Sequence, residues 1–206
     1  ALHARGISVV GWYLPGHVSQ ARDLRRARAL LAFRTPQGGG FDGIGLDVES
    51  TAVRNAALRT RRALAFVRQI RAEAGDRPLA IIPFNPRGLE RHPKTWPNFP
   101  YAELAEQSDA FAPMVYTGGA MKGFDATYGY VTRSLRLLRD AVGDDDVPIH
   151  VAGGVADRLT ADELAGFAAA VADDGRTIGV SLYDWPTTGK AAWRVLLALT
   201  ETRLSG

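Results

Sequence analysis

Phe41-Asp42-Gly43-Ile44-Gly45-Leu46-Asp47-Val48-Glu49 reads as a strand whose two faces carry opposite chemistry. Side chains alternate along a strand, so Ile44, Leu46 and Val48 point one way while Gly43, Gly45, Asp47 and Glu49 point the other. The apolar row suits packing under helices. The other row brings two carboxylates together at the strand's C-terminal end, with only glycines behind them. An acid pair at that end of a parallel strand is a catalytic candidate, because the C-terminal ends of such strands form the mouth of an α/β barrel.

Outward from this strand, short apolar runs alternate with longer helical patterns, the order that predicts a parallel sheet with helical crossovers. Strands are expected near residues 7–14, 43–49, 79–84, 110–116, 149–153 and 178–185, and helices over about 20–33, 52–74, 101–107, 128–142, 161–173 and 189–203. Thr160-Ala161-Asp162-Glu163 is a capping-box start, and Gly75 and Gly143 stand where helix ends favour a left-handed residue. The expected architecture is a (β/α)8 TIM barrel, a single domain over 1–206 that lacks its first two β/α units. Residues 1–6 read as the end of a helix running into a strand, in keeping with an incomplete N-terminus. An open doubly wound sheet would need a phosphate fingerprint, and neither G-x-G-x-x-G nor G-x-x-x-x-G-K-[ST] occurs. Two connections, 85–100 and 117–127, follow strand ends and are candidate binding loops, the first with Trp96 and the second with Gly118, Gly119 and Gly123.

Composition excludes several classes of chemistry. The 206 residues contain no cysteine, so disulfide and thiolate chemistry is ruled out. No apolar run is long enough to span a membrane. His3, His17, His92 and His150 form no ligand pattern, so neither a metal nor a cofactor is expected, and His150 reads as a buried core residue. No G-x-S-x-G elbow is present. The charge of +3 is small, although Arg54, Arg61 and Arg68 recur at a spacing of seven. That row could be a nucleic-acid stripe, but the weak excess of charge favours the solvated outer face of a helix, and no nucleic-acid partner is expected.

With these residues in view, the chain resembles glycoside hydrolase family 18, the chitinase-like barrels. Asp42 to Glu49 is similar to the family's D-G-x-D-x-D-x-E strand. Met114-Val115-Tyr116-Thr117 is similar to its M-x-Y-D, and Gly179 to Trp185 to its last strand, which ends near a tryptophan flooring the sugar site. Gly45 stands where the family has its middle aspartate, and Thr117 where it has the aspartate after tyrosine. The D-x-E of Asp47 and Glu49 also resembles the family 25 lysozyme-type barrels.

The resemblance implies a hydrolase of a β-linked glycan containing N-acetylated sugars, chitin-like or peptidoglycan-like. Glu49 would be the acid, raised by the negative Asp47 beside it. Asp47 would hold the substrate's acetamido N–H and Tyr116 would donate to its oxygen, so that the substrate supplies its own nucleophile. Trp12, Tyr13, Asn85, Met114, Tyr183 and Trp185, at or near strand ends, are the expected substrate contacts, and Trp96 is a further candidate platform. Asp184 should point away from the barrel axis. A structural ion pair with Arg54, or a helix cap, is the competing reading of the two acids. The missing carboxylates at Gly45 and Thr117 leave a catalytically silent glycan-binding barrel as the rival. The expected protein is a monomer, secreted or at the cell surface on the strength of its substrate class, the cytoplasm being the alternative.

Overall fold

The computed structural model describes residues 1–117 and 121–204, the side chains of 200–204 apart. Its strands are β1 (Val10–Tyr13), β2 (Gly43–Val48), β3 (Leu79–Pro83), β4 (Ala110–Phe111), β5 (His150–Val155) and β6 (Gly179–Tyr183). Its helices are α1 (Gln20–Ala32), α2 (Ala56–Ala74), α3 (Pro86–Arg91), α4 (Tyr101–Ala105), α5 (Gly123–Val142), α6 (Ala161–Asp174) and α7 (Lys190–Leu204). Gly118 and Gly119 of the second candidate loop lie outside the described residues. Packing divides the chain into two compact units: Ala1–Phe84 with His92–Phe111, and Asn85–Arg91 with Ala112–Gly206. All strand pairs are parallel, so the class is mixed α/β.

The first unit carries a sheet in the order β1-β2-β3-β4. Central β2 is buried along its whole length, so both of its faces are covered, whereas β3 beside it alternates between buried and half-buried positions. Register places Tyr13 beside Leu46 and Leu46 beside Ile81, and these residues form one row. Trp12 pairs with Gly45, and Asp47 with Ile82, on the opposite row. Leu46 and Ile81 of the first row are inaccessible, as are Phe66, Val67 and Ile70 of α2. Burying one Phe of this kind contributes roughly 1.5–3 kcal/mol.

Local signals set the helix ends. Ser19 Oγ accepts from the Arg22 N–H at 3.4 Å to open α1, and Asn55 Oδ1 accepts from the Leu58 N–H at 2.9 Å to open α2. The Asn55 cap explains why α2 begins at Ala56 rather than at residue 52. Residues ahead of it are tied down by Arg59, whose guanidinium donates to Val53 O at 3.0 Å and Thr95 O at 2.6 Å while lying 4.2 Å from the Trp96 ring centroid. The Trp96 indole N–H donates to Thr60 Oγ1 at 2.9 Å, and the residue is only 1% exposed. Trp96 is thus a core residue rather than a sugar platform. Its flanking segment was legible as loop, but the Arg59 stack was not.

The expected strand 110–116 is much shorter. Pro113 has no N–H to donate, so the ladder stops at Phe111, and Met114 makes an isolated parallel bridge to Ala152 in the second unit. In that second unit β5 pairs with β6, and α5 packs on α6 through a two-pronged Arg139–Asp174 pair at 2.6 and 3.0 Å, both partners largely buried. Close approach makes Gly166 obligatory, since a Cβ there would stand 2.4 Å from Phe124 O. The expected capping box opens α6, with Thr160 Oγ1 accepting from the Glu163 N–H at 3.2 Å and Glu163 accepting from the Thr160 N–H at 2.8 Å. His150 is half-buried rather than inside the core, with its ring over Gly179, where a Cβ would meet Nδ1 at 2.6 Å.

Candidate active site

Asp47 sits on the last turn of alternation in β2, where the strand's regular pairing to β3 holds it in place. It is 1% exposed, and its Oδ1 has no hydrogen-bond partner among the described residues. Burial pushes its carboxyl up to about 7, the negative Glu49 adds to the push, and the Trp12 indole N–H offsets part of it. Glu49, half-buried at the strand tip, is raised by burial alone. The larger upward push therefore falls on Asp47, because it lies deeper. The proton belongs to the pair rather than to one carboxyl.

The competing structural readings of the acids find no support in the geometry. Neither carboxylate has a cation partner among the described residues, and the cap of α2 is Asn55. Trp12 lies on the Asp47 row and is 61% exposed. The same row shows why Gly45 carries no side chain: a Cβ there would meet Ile82 Cδ1 at 3.1 Å, with Trp12 and Val10 at 3.8 Å.

Tyr13 is not brought to this face. It lies on the opposite row, with its hydroxyl donating to Asp23 Oδ1 at 2.8 Å and its ring centroid 6.4 Å from that of Phe66. Asp23 is buried, and it also accepts from the His17 backbone N–H at 2.8 Å. His17 was missed as a noteworthy residue. It is 1% exposed, both ring nitrogens lack hydrogen-bond partners among the described residues, and burial drives its pKa down to about 4. Pro15-Gly16 ahead of it signals a turn, but nothing in the pattern signals that the following side chain folds inward.

The remaining candidates belong to the second unit. Asn85 is 8% exposed and committed to structure: its amide donates to Met114 O at 3.3 Å and Tyr130 Oη at 3.0 Å, while Oδ1 accepts from the Arg87 N–H at 3.0 Å. Met114 is half-buried, and Tyr116 is 39% exposed. Thr117 is buried with Oγ1 unpartnered among the described residues, close against Gly154, where a Cβ would meet Thr117 O at 2.9 Å. Tyr183 and Trp185 are largely exposed. Trp185 stands edge-on to Trp193 of α7, with centroids 5.2 Å apart, beside a cleft of about 300 Å³ that Val180, Leu182 and Leu196 help to line. Asp184 follows β6, its N–H donating to Thr187 Oγ1 at 2.8 Å, and its own Oδ1 is buried without a partner among the described residues. Leu182 packs with Leu164 and Ala192 on the helical side, as the alternation required.

Among the described residues no group of three or more His, Asp or Glu side chains is placed to hold a metal. No helix among them is long and apolar enough to cross a membrane.

No family model matches the chain, and no curated protein sequence does. Among solved structures the chain is similar to the endoglucanase CEL6B from Humicola insolens, at 11% identity and a TM-score of 0.56. The match covers 87% of this chain and 65% of that one, so the chain spans about two thirds of its structural neighbour's length. The likeness is one of fold: a mixed α/β chain with parallel strands, shared with a glycoside hydrolase.

Proposed function

We propose that this protein is a glycoside hydrolase acting on a β-linked glycan with N-acetylated sugars. The observation that carries the reading is the acid pair itself. Asp47 lies on the Trp12 row of a buried strand, Glu49 follows two residues on with its charge acting on Asp47, neither carboxyl has a cation partner among the described residues, and Trp12 is exposed. Burying a carboxyl without a partner costs folding free energy, and proteins retain that cost mainly at functional sites. The endoglucanase fold likeness supports the same reaction class.

In this reading the pair holds one proton between acidic and neutral pH, and the more accessible Glu49 delivers it to the leaving glycosidic oxygen. Asp47, anchored by the sheet, orients the acetamido group of the sugar, and Trp12 stacks on the ring. Such a substrate lies outside the cytoplasm. The fold would be of the (β/α)8 barrel type.

Gly45 and Thr117 favour one second reading, a glycan-binding protein without turnover. Both chemistries are separated by one experiment with chitooligosaccharides and peptidoglycan fragments. Release of reducing ends that Glu49→Gln abolishes supports the hydrolase. Binding without release supports the second reading, and neither binding nor release overturns both.

A further inference from the structure

The α1 and α2 layer has a charge that the acid pair does not account for. Residues 20–34 and 54–77 contain twelve arginines against three acidic residues, with no lysine. The two helices run side by side in the same direction, joined by Gln20 Nε2 donating to Arg62 O at 3.2 Å and by Arg28 gripping Glu73 at 2.7 and 2.8 Å. Several of the arginines are committed to structure. Arg59 stacks on Trp96, Arg62 donates to His17 O, Arg71 pairs with Asp109, and Arg77 donates to Leu31 O. Asp23 is buried and already bonded to Tyr13, so it screens little of the outer surface.

Arg25, Arg54, Arg61 and Arg68 remain exposed with no partner among the described residues. Arg61 and Arg68 are two turns apart on one face of α2, which puts their Cα atoms about 10 Å apart along the axis. Ala65 is the exposed residue between them and Ala57 stands one turn before Arg61, while along α1 the exposed positions are Ala21, Ala29 and Ala32 together with further arginines. A face of unpaired guanidiniums set among methyl groups attracts anions by long-range field and by forked hydrogen bonds. It offers no aromatic ring on which bases could stack and no large apolar side chain to enter a bilayer.

We propose that this face docks an acidic polysaccharide, a sugar chain bearing phosphate, sulfate or carboxylate groups, through Arg25, Arg54, Arg61 and Arg68. The choice of a polysaccharide over other polyanions rests on the glycan-hydrolase reading. The face would hold the protein on a charged matrix while the acid pair works on neutral sugars.

Heparin serves as the probe. Its dissociation constant for the intact chain should rise at least about tenfold between about 50 and 200 mM salt. Arg61→Glu with Arg68→Glu should weaken binding at least about tenfold at the lower salt, since both positions are exposed and flanked by alanine. Arg136→Glu with Arg194→Glu changes net charge equally at exposed positions outside α1 and α2, and should weaken binding by less than about threefold. Equal losses in the two double variants would mean attraction by net charge alone and overturn the proposal. So would absence of heparin binding, or tighter binding to a short DNA duplex or to phosphatidylserine vesicles. If heparin binding follows the Arg61 and Arg68 pair while no glycan is cleaved, the hydrolase reading falls and the docking face stands.

Discussion

Replacing Asp47 with asparagine should stabilise the fold at alkaline pH and not at acid pH. In the unfolded chain the carboxyl titrates near its ordinary 3.8, whereas in the fold it is held up to about 7. Between those values the native state keeps a proton that the unfolded state has lost, so native stability falls as pH rises through that window. Each pH unit is worth about 1.4 kcal/mol, so the ionised Asp47 costs about 4 kcal/mol above pH 7. The amide keeps the shape and carries no charge. Its own unpartnered group adds a penalty of roughly 1–3 kcal/mol that does not vary with pH. The stability difference between variant and parent should therefore swing by about 4 kcal/mol between pH 4 and pH 8, in favour of the variant. For a chain of this size that is a shift of roughly 2–4 °C in Tm per kcal/mol. Urea unfolding at a series of pH values, followed by tryptophan fluorescence, measures it. A difference that stays flat with pH would refute the buried-proton argument, whatever its size.

Glu49→Gln should lower kcat by roughly 10²–10⁴-fold with glycan affinity retained, and unchanged hydrolysis would exclude Glu49 as the acid. His17 gives the opposite pH trend: the native ring stays neutral down to about 4 while the unfolded ring protonates near 6.5, so stability should fall by about 3 kcal/mol on acidification through that window, and His17→Phe should flatten it in a urea series. Tyr116→Phe should lower kcat more than it changes KM if that hydroxyl supports the acetamido oxygen, and a change confined to KM would make it a binding residue only. Substrate-assisted cleavage predicts a first product with retained anomeric configuration, and an inverted product in time-resolved NMR would rule it out.

The parallel order of β1 to β4 and the row of β2 that carries Asp47 were legible because apolar residues alternate there with glycine and carboxylate. Helix starts with a side-chain cap were equally readable at Thr160. The misplacements have specific causes. Pro113 cut short a strand whose apolar pattern ran on to Tyr116, because composition does not register a missing N–H as strongly as it registers hydrophobicity. Tyr13 adjoins Trp12 in sequence and was grouped with it, yet alternation sends it to Asp23 on the other face. Asn85 has the chemistry of a ligand contact, but its polar atoms close a turn onto α3 and α5. Such commitments are made across distances that no local spacing reveals. The depth of Asp47 relative to Glu49 was likewise invisible, since it depends on how the neighbouring strands cover β2.

The stack of Arg59 on Trp96 bears on how this scaffold could be retooled. Residues 92–99 look exchangeable, a surface connection of the kind that loop grafting uses to alter specificity. Yet the carbonyl of Thr95 and the indole of Trp96 are the seats for one helical cation that also pins Val53 after β2. A graft that discards Thr95 and Trp96 would release the arm that follows the acid strand, so a specificity library should begin beyond Trp96 and carry the pair unchanged.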